Sequence, residues 1–136
     1  MVHAIIDLQN SLVAALNADV DLIALIGNNA VFDAPPKGKN APYIVIARHD
    51  VLSRDGDETP GNAHQMIIHC WHDDASRKGL LAIVNRVVWV ALNGNLSSSD
   101  LLITLMQHRR TDTMIDKKTG NARAVIALRF FSEPAS

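Results

Sequence analysis

Six consecutive residues, His69-Cys70-Trp71-His72-Asp73-Asp74, gather two imidazoles, a thiol and two carboxylates, the groups that zinc sites and Cys/His/Asp catalytic clusters are built from. Spacing decides whether they can act together. As a strand over residues 63 to 72, His64, Met66, Ile68, Cys70 and His72 point one way and Gln65, Ile67, His69 and Trp71 the other. His69 and His72 then lie on opposite faces. No second Cys-x-x-Cys or His-x-x-x-His pair exists to complete a tetrahedral site, so no metal is implied. Cys70 beside Ile68 reads as a small buried hydrophobe, Trp71 as a sheet or interface anchor, and Asp73-Asp74 as a polar strand exit. The run Asp55-Gly56-Asp57-Glu58-Thr59-Pro60 imitates the start of a calcium loop, but Pro60 stands where the sharp turn needs glycine and Met66 where the bidentate glutamate belongs. Arg109-Arg110 could grip a phosphate only if both faced one way, and neighbours on a strand do not. The chain has no phosphate-binding glycine loop, no Gly-x-Ser-x-Gly and no His-Glu-x-x-His, so no cofactor is implied either.

The elements that carry these residues follow from periodicity. Val2, Ile5, Ile6, Leu12, Val13 and Leu16 predict one face of a first helix. Asp19 caps a short second helix carrying Val20, Leu22, Ile23, Leu25 and Ile26 and closed by Gly27, so a helical hairpin opens the chain. Residues 30 to 33 read as a short strand, the proline-rich stretch 34 to 42 as a loop, and the chain from Tyr43 as a longer strand. Residues 53 to 62 form a polar loop, expected to be mobile, before the antiparallel strand that holds Cys70. Ser76 caps a long helix whose buried stripe is Leu80, Ile83, Val84, Val87, Val88 and Ala91. Two extended runs flank the turn at Lys117 to Asn121, whose tip is likewise expected to be mobile. In the last strand Ala122, Ala124, Ile126, Leu128 and Phe130 share the core face, while Arg123, Val125, Ala127, Arg129 and Phe131 share the other. The order predicts a single α+β domain over 1–136, with a mainly antiparallel sheet of about four strands covered by helices on one side.

Composition narrows the function classes. A net charge of −1 and six aromatic residues supply neither a basic field for phosphate backbones nor a set of base-stacking rings, so no sequence-specific nucleic acid is expected. No apolar run reaches the ~20 residues of a membrane span, and the N-terminus lacks the pattern of an export signal. With a single cysteine, a cytoplasmic protein is expected.

Several stretches, in order, resemble a known family: DVDLIALIG, VFDAPPKGKNAPYIVIA, HQMIIHCWH, SRKGLLAIVNRVVWVALN and RTDTMIDKKTGNARAVIALRF. They look like the tail completion (tail terminator) proteins of long-tailed bacteriophages, prophages and gene transfer agents. The most specific parts lie around Phe32 to Ile46, at His69-x-Trp71, and in the closing pattern of Asp116, Thr119, Gly120, Ala124 and Leu128 to Phe130. The resemblance implies a structural, non-enzymatic protein that forms a homo-hexameric ring, caps the tail tube and docks onto the head-tail connector. It would pass from the host cytoplasm into the particle. Arg123, Arg129 and Phe131, on the non-core face of the last strand, are the expected contacts between copies. Arg54, Asp55, Asp57 and Glu58, together −2, and Lys117 and Lys118 are the expected partner-binding charges. Two rivals stand beside this reading: a small cytoplasmic α+β enzyme or ligand-binding protein using Cys70 and nearby histidines, and a homodimer with no ring-forming habit.

Overall fold

The computed structural model describes residues 3–54 and 60–135. Helix α1 (Ala4–Ala18) starts where His3 Nδ1 accepts the Ile5 amide at 3.1 Å. It meets the core along Leu8, Leu12 and Leu16, all essentially unexposed. This corrects the expected face: Ile6 is 52% exposed, Ile5 and Val13 are half-buried, and Val2 lies outside the described residues. Leu8 sits about 200° round the helix from Ile6, so both cannot face the core. Helix α2 (Val20–Ile26) is capped by Asp19, whose carboxylate accepts the Leu22 amide at 3.0 Å, and ends at Gly27 with φ of 91°. Two turns bury only one line, Leu22 and Ile26, and leave Val20 and Leu25 exposed.

Helix α3 (Arg77–Asn93) begins at Ser76, whose hydroxyl accepts the Gly79 amide at 3.0 Å. It buries Leu80, Ile83, Val84, Val87, Val90 and Ala91, with Val88 only partly covered. Arg86 reaches from it to the Asp19 carboxylate through two hydrogen bonds of 2.6 and 2.8 Å, tying α3 to the α1–α2 junction. That bonding holds the Asp19 carboxyl below its ordinary value although burial opposes it.

The strands are β1 (Val31–Phe32), β2 (Tyr43–Ser53), β3 (Asn62–Trp71), β4 (Leu101–Ile115) and β5 (Ala122–Pro134). They form one five-stranded sheet in the order β1-β2-β3-β5-β4, one strand more than the four expected. The extra strand is β1, which pairs parallel with β2 while every other pairing is antiparallel. Asn17 of α1 holds it there: its side chain bonds both the amide and the carbonyl of Val31, each at 3.3 Å. All three helices contribute to a core closed by Ile44, Met66, Ile68, Cys70, Ile126 and Phe130 from one face of the sheet. Among the described residues no element packs on the other face, and no helix is long and apolar enough to cross a membrane.

Candidate interaction surface

Cys70 and His69 separate to opposite faces as the alternation predicts, but the strand ends at Trp71 and, contrary to expectation, does not include His72. Cys70 is fully buried opposite Ile44 and Ala124, and burial pushes its thiol up to about 12. A thiolate nucleophile is disfavoured there. His72 leaves the strand and lies against the first turn of α3, so close to Gly79 that a Cβ at that position would stand 2.5 Å from its Nε2. Its ring nitrogens come within 3.2 Å of Asp73 and 3.4 Å of Asp74, although Nδ1 makes no hydrogen bond of acceptable geometry. These three side chains offer ligand atoms within 4.8 Å of one another, but both carboxylates are well exposed and exposed acids commonly gather without an ion.

Two other histidines meet where spacing alone could not bring them. His49 of β2 and His64 of β3 are hydrogen-bonded at 2.8 Å, His64 to Ser132 of β5 at 2.7 Å, and His49 to Gln9 of α1 at 3.2 Å. His64 and Ser132 are fully buried, and this chain of groups braces a helix against three strands. Burial is the main reason both rings titrate at about 4; for His49 its neighbour His64 adds to the effect. The sequence did carry a trace of this, since His64 shares its strand face with Met66, Ile68 and Cys70.

A cleft of about 430 Å³ lies between the start of α1 and the ends of the strands, lined by His3, Asp7, Val51, Asn62, Leu101 and Pro134. The Asp7 carboxylate is engaged there by the Ser98 hydroxyl at 2.9 Å. A second cleft, at the opposite strand ends, contains no histidine. Neither of these two clefts holds Cys70 or more than one histidine, so neither is the pocket that the enzyme reading requires.

The uncovered sheet face is organised differently. Register places Tyr43, Trp71, Arg123 and Met114 in one cross-strand row, and Leu52, Ala63, Phe131 and Leu105 in another. Phe32 meets Tyr43 edge-on at 6.4 Å, Tyr43 meets Trp71 at 6.4 Å, the Arg123 guanidinium lies 5.1 Å from the Trp71 ring, and Arg123 reaches the Met114 sulfur at 2.7 Å. The row therefore crosses all five strands. At the other end Arg54 and Arg129 both lie on Phe131, at 3.7 and 4.7 Å. The Nε atoms of Arg123 and Arg129 are buried without hydrogen-bond partners, as expected of guanidinium groups that rest on rings. His69, between the two rows, is held below its ordinary value by burial first and by Arg123 second. The expected contact residues Arg123, Arg129 and Phe131 thus share this face with Trp71, expected as a sheet or interface anchor; Arg54 joins them, and Phe32, Tyr43 and Met114 were not placed there by the sequence.

The remaining expected residues go elsewhere. Asp55, Asp57 and Glu58 lie outside the described residues. Lys117 and Lys118 are exposed at the β4–β5 turn. That tip, expected to be mobile, is tied by five hydrogen bonds: Asp116 N to Asn121 O, Gly120 N to Asp116 O, Lys118 N and Thr119 Oγ1 to the Asp116 carboxylate, and Asn121 N to Thr119 Oγ1. Arg109 and Arg110 are exposed at a register shift in the edge strand β4 and make no phosphate clamp; Arg110 donates to Asp112 at 3.0 Å.

An uncovered aromatic and cationic sheet face is suited to contact with another protein, and known proteins share this fold. A chain in the structure of the virion of a native gene transfer agent particle shares 25% identity, with 97% of this chain and 99% of that one covered and a TM-score of 0.84. The structure of bacteriophage SPP1 gp17 protein is similar in fold, at 21% identity, 93% and 89% coverage and a TM-score of 0.64. No curated protein matches in sequence. Residues 10–133 match the family of tail completion protein gp17, and the chain belongs to that family of structural phage tail proteins.

Proposed function

We propose that this protein closes the tail tube as a ring of identical subunits, six by the family resemblance, and joins the tube to the head-tail connector. One observation carries the reading: a sheet face that in a solitary subunit would be mostly polar presents Phe32, Tyr43, Trp71, Met114 and Phe131 among three arginines. Aromatic residues and arginine are the types that anchor protein interfaces, and a patch of this kind marks a contact site. Arg123, Arg129 and Phe131 meet a neighbouring copy, whose different complementary surface closes the ring. Arg54, packed on Phe131, belongs to the same contact. The acids Asp55, Asp57 and Glu58 and the lysines Lys117 and Lys118 select oppositely charged surfaces of the tube or connector. The protein ends as a component of the assembled particle.

The test is Phe131→Asp, examined by light scattering and negative-stain imaging. The wild-type chain forms rings as its concentration rises. The variant keeps the circular dichroism spectrum of the folded subunit and remains monomeric, because a carboxylate replaces a ring buried at the contact. An unchanged ring in the variant places the contact on another surface.

A further inference from the structure

A ring of identical head-to-tail contacts needs two different surfaces on each copy, and the uncovered sheet face is only one of them. Its unpaired charge is positive. On that face the Arg48–Asp50 and Arg110–Asp112 pairs cancel, which leaves Arg54, Arg123 and Arg129 against Glu133. The complementary surface therefore has to offer carboxylates beside apolar groups. We propose that it is the cleft between the start of α1 and the strand ends, so that the Arg54–Phe131–Arg129 stack of one copy docks into this cleft on the next. The inference rests on the assembly reading above and names the second contact surface, which that reading leaves open.

The other acids among the described residues narrow the choice. Asp19 and Asp21 pair with Arg86, Asp73 and Asp74 lie against His72, and Asp116 is held by its own turn. Asp33 shares its loop with Lys37 and Lys39. Asp7 and Asp100 remain. Both line the cleft and neither forms an ion pair, and among the described residues no lysine or arginine lines it with them. The Ser98 hydroxyl that bonds Asp7 brings no opposite charge. Ala4, Val51, Leu101 and Pro134 supply apolar walls. The stack matches this composition, because one ring carrying two guanidinium groups meets apolar walls carrying two carboxylates. The positions also suit a front-to-back contact. Val51 pairs with His64 on the core face, while the next residue, Leu52, lies in the Phe131 row on the uncovered face. Cleft and stack thus occupy the same end of the strands on opposite sides of the sheet, and copies related by one repeated rotation can bring them together.

Two half-defective variants of the full chain test this. Asp7→Asn with Asp100→Asn removes the charge of the cleft, keeps an oxygen for the Ser98 hydroxyl and spares the sheet face. Phe131→Asp alters the sheet face and spares the cleft. Each should keep the circular dichroism spectrum of the folded subunit and raise the concentration needed for ring formation about tenfold or more. At a concentration where neither associates alone, the two are mixed and followed by sedimentation. The mixture retains one intact contact, between the sheet face of the cleft variant and the cleft of the Phe131→Asp chain. A one-to-one heterodimer, and nothing larger, is therefore expected. Rings formed by the cleft variant at wild-type concentrations overturn the proposal, and so does a mixture that stays monomeric. A wild-type chain that forms no rings, or a Phe131→Asp chain that still does, counts against the assembly reading itself, and the proposal falls with it.

Discussion

Cys70 and the His49–His64 pair show how far a reactive residue type is from a reactive residue. Cys70 lies in an apolar layer with its thiol protonated, so Cys70→Ser, which leaves a hydroxyl without a ready partner, should cost about 1 to 3 kcal/mol by urea unfolding, and Cys70→Ala less. A thiol reagent should modify the native protein no faster than it opens; rapid, complete labelling of the folded chain contradicts the placement. The two histidines set the acid response. Both titrate at about 4 when folded, against an ordinary 6.5. As pH falls below 6.5 the unfolded chain takes up protons that the folded chain refuses, so stability is full above that value and declines toward 4. The loss is on the order of 3 kcal/mol per ring at most, and urea midpoints measured from pH 7 to 4.5 should fall accordingly. A flat profile would mean that the pair is not neutral and bonded. Sequence could assign His64 to the core face, but not its partners: Ser132 is 68 residues away and Gln9 is on a helix, so their meeting depends on tertiary packing.

Among the elements, the strands were the most legible, because a period of two fixes the faces once the strand is found. The alternation holds from His64 to Trp71 in β3 and along β5 to Ser132. The first helix was less so. It offers more apolar residues than one face can bury, and periodicity alone could not choose between the line through Ile6 and the line through Leu8. Packing chose Leu8. Leu8→Ala should therefore destabilise by about 2 to 5 kcal/mol, while Ile6→Ala stays within roughly 0.5 kcal/mol. Comparable losses from the two variants would return Ile6 to the core. Strand β1 was recognisable as a short strand, but its parallel pairing was not, since it depends on Asn17 reaching Val31 from α1. The site divides in the same way: alternation placed Arg123, Arg129 and Phe131 on one face, whereas the row from Phe32 to Met114 needs the register of five strands.

At the scale of the whole molecule, helices cover one side of the sheet, and the strand ends carry a cleft and a cationic turn. Reversing both turn charges, Lys117→Glu with Lys118→Glu, should leave the fold intact because the tip is exposed and its hydrogen bonds run through Asp116, Thr119 and backbone groups. Tail completion or head joining should fail, read as a loss of infectious or DNA-transferring particles. Normal particle yields would remove the turn from the contact. The Arg54–Phe131–Arg129 stack has one more consequence. A flexible arginine ordered only on docking forfeits about 0.5–1.5 kcal/mol of side-chain freedom, whereas these two lie on their ring before any partner arrives. On the proposed contact face these arginines are preorganised: they lose their freedom when the subunit folds, and little of that loss would remain to oppose association.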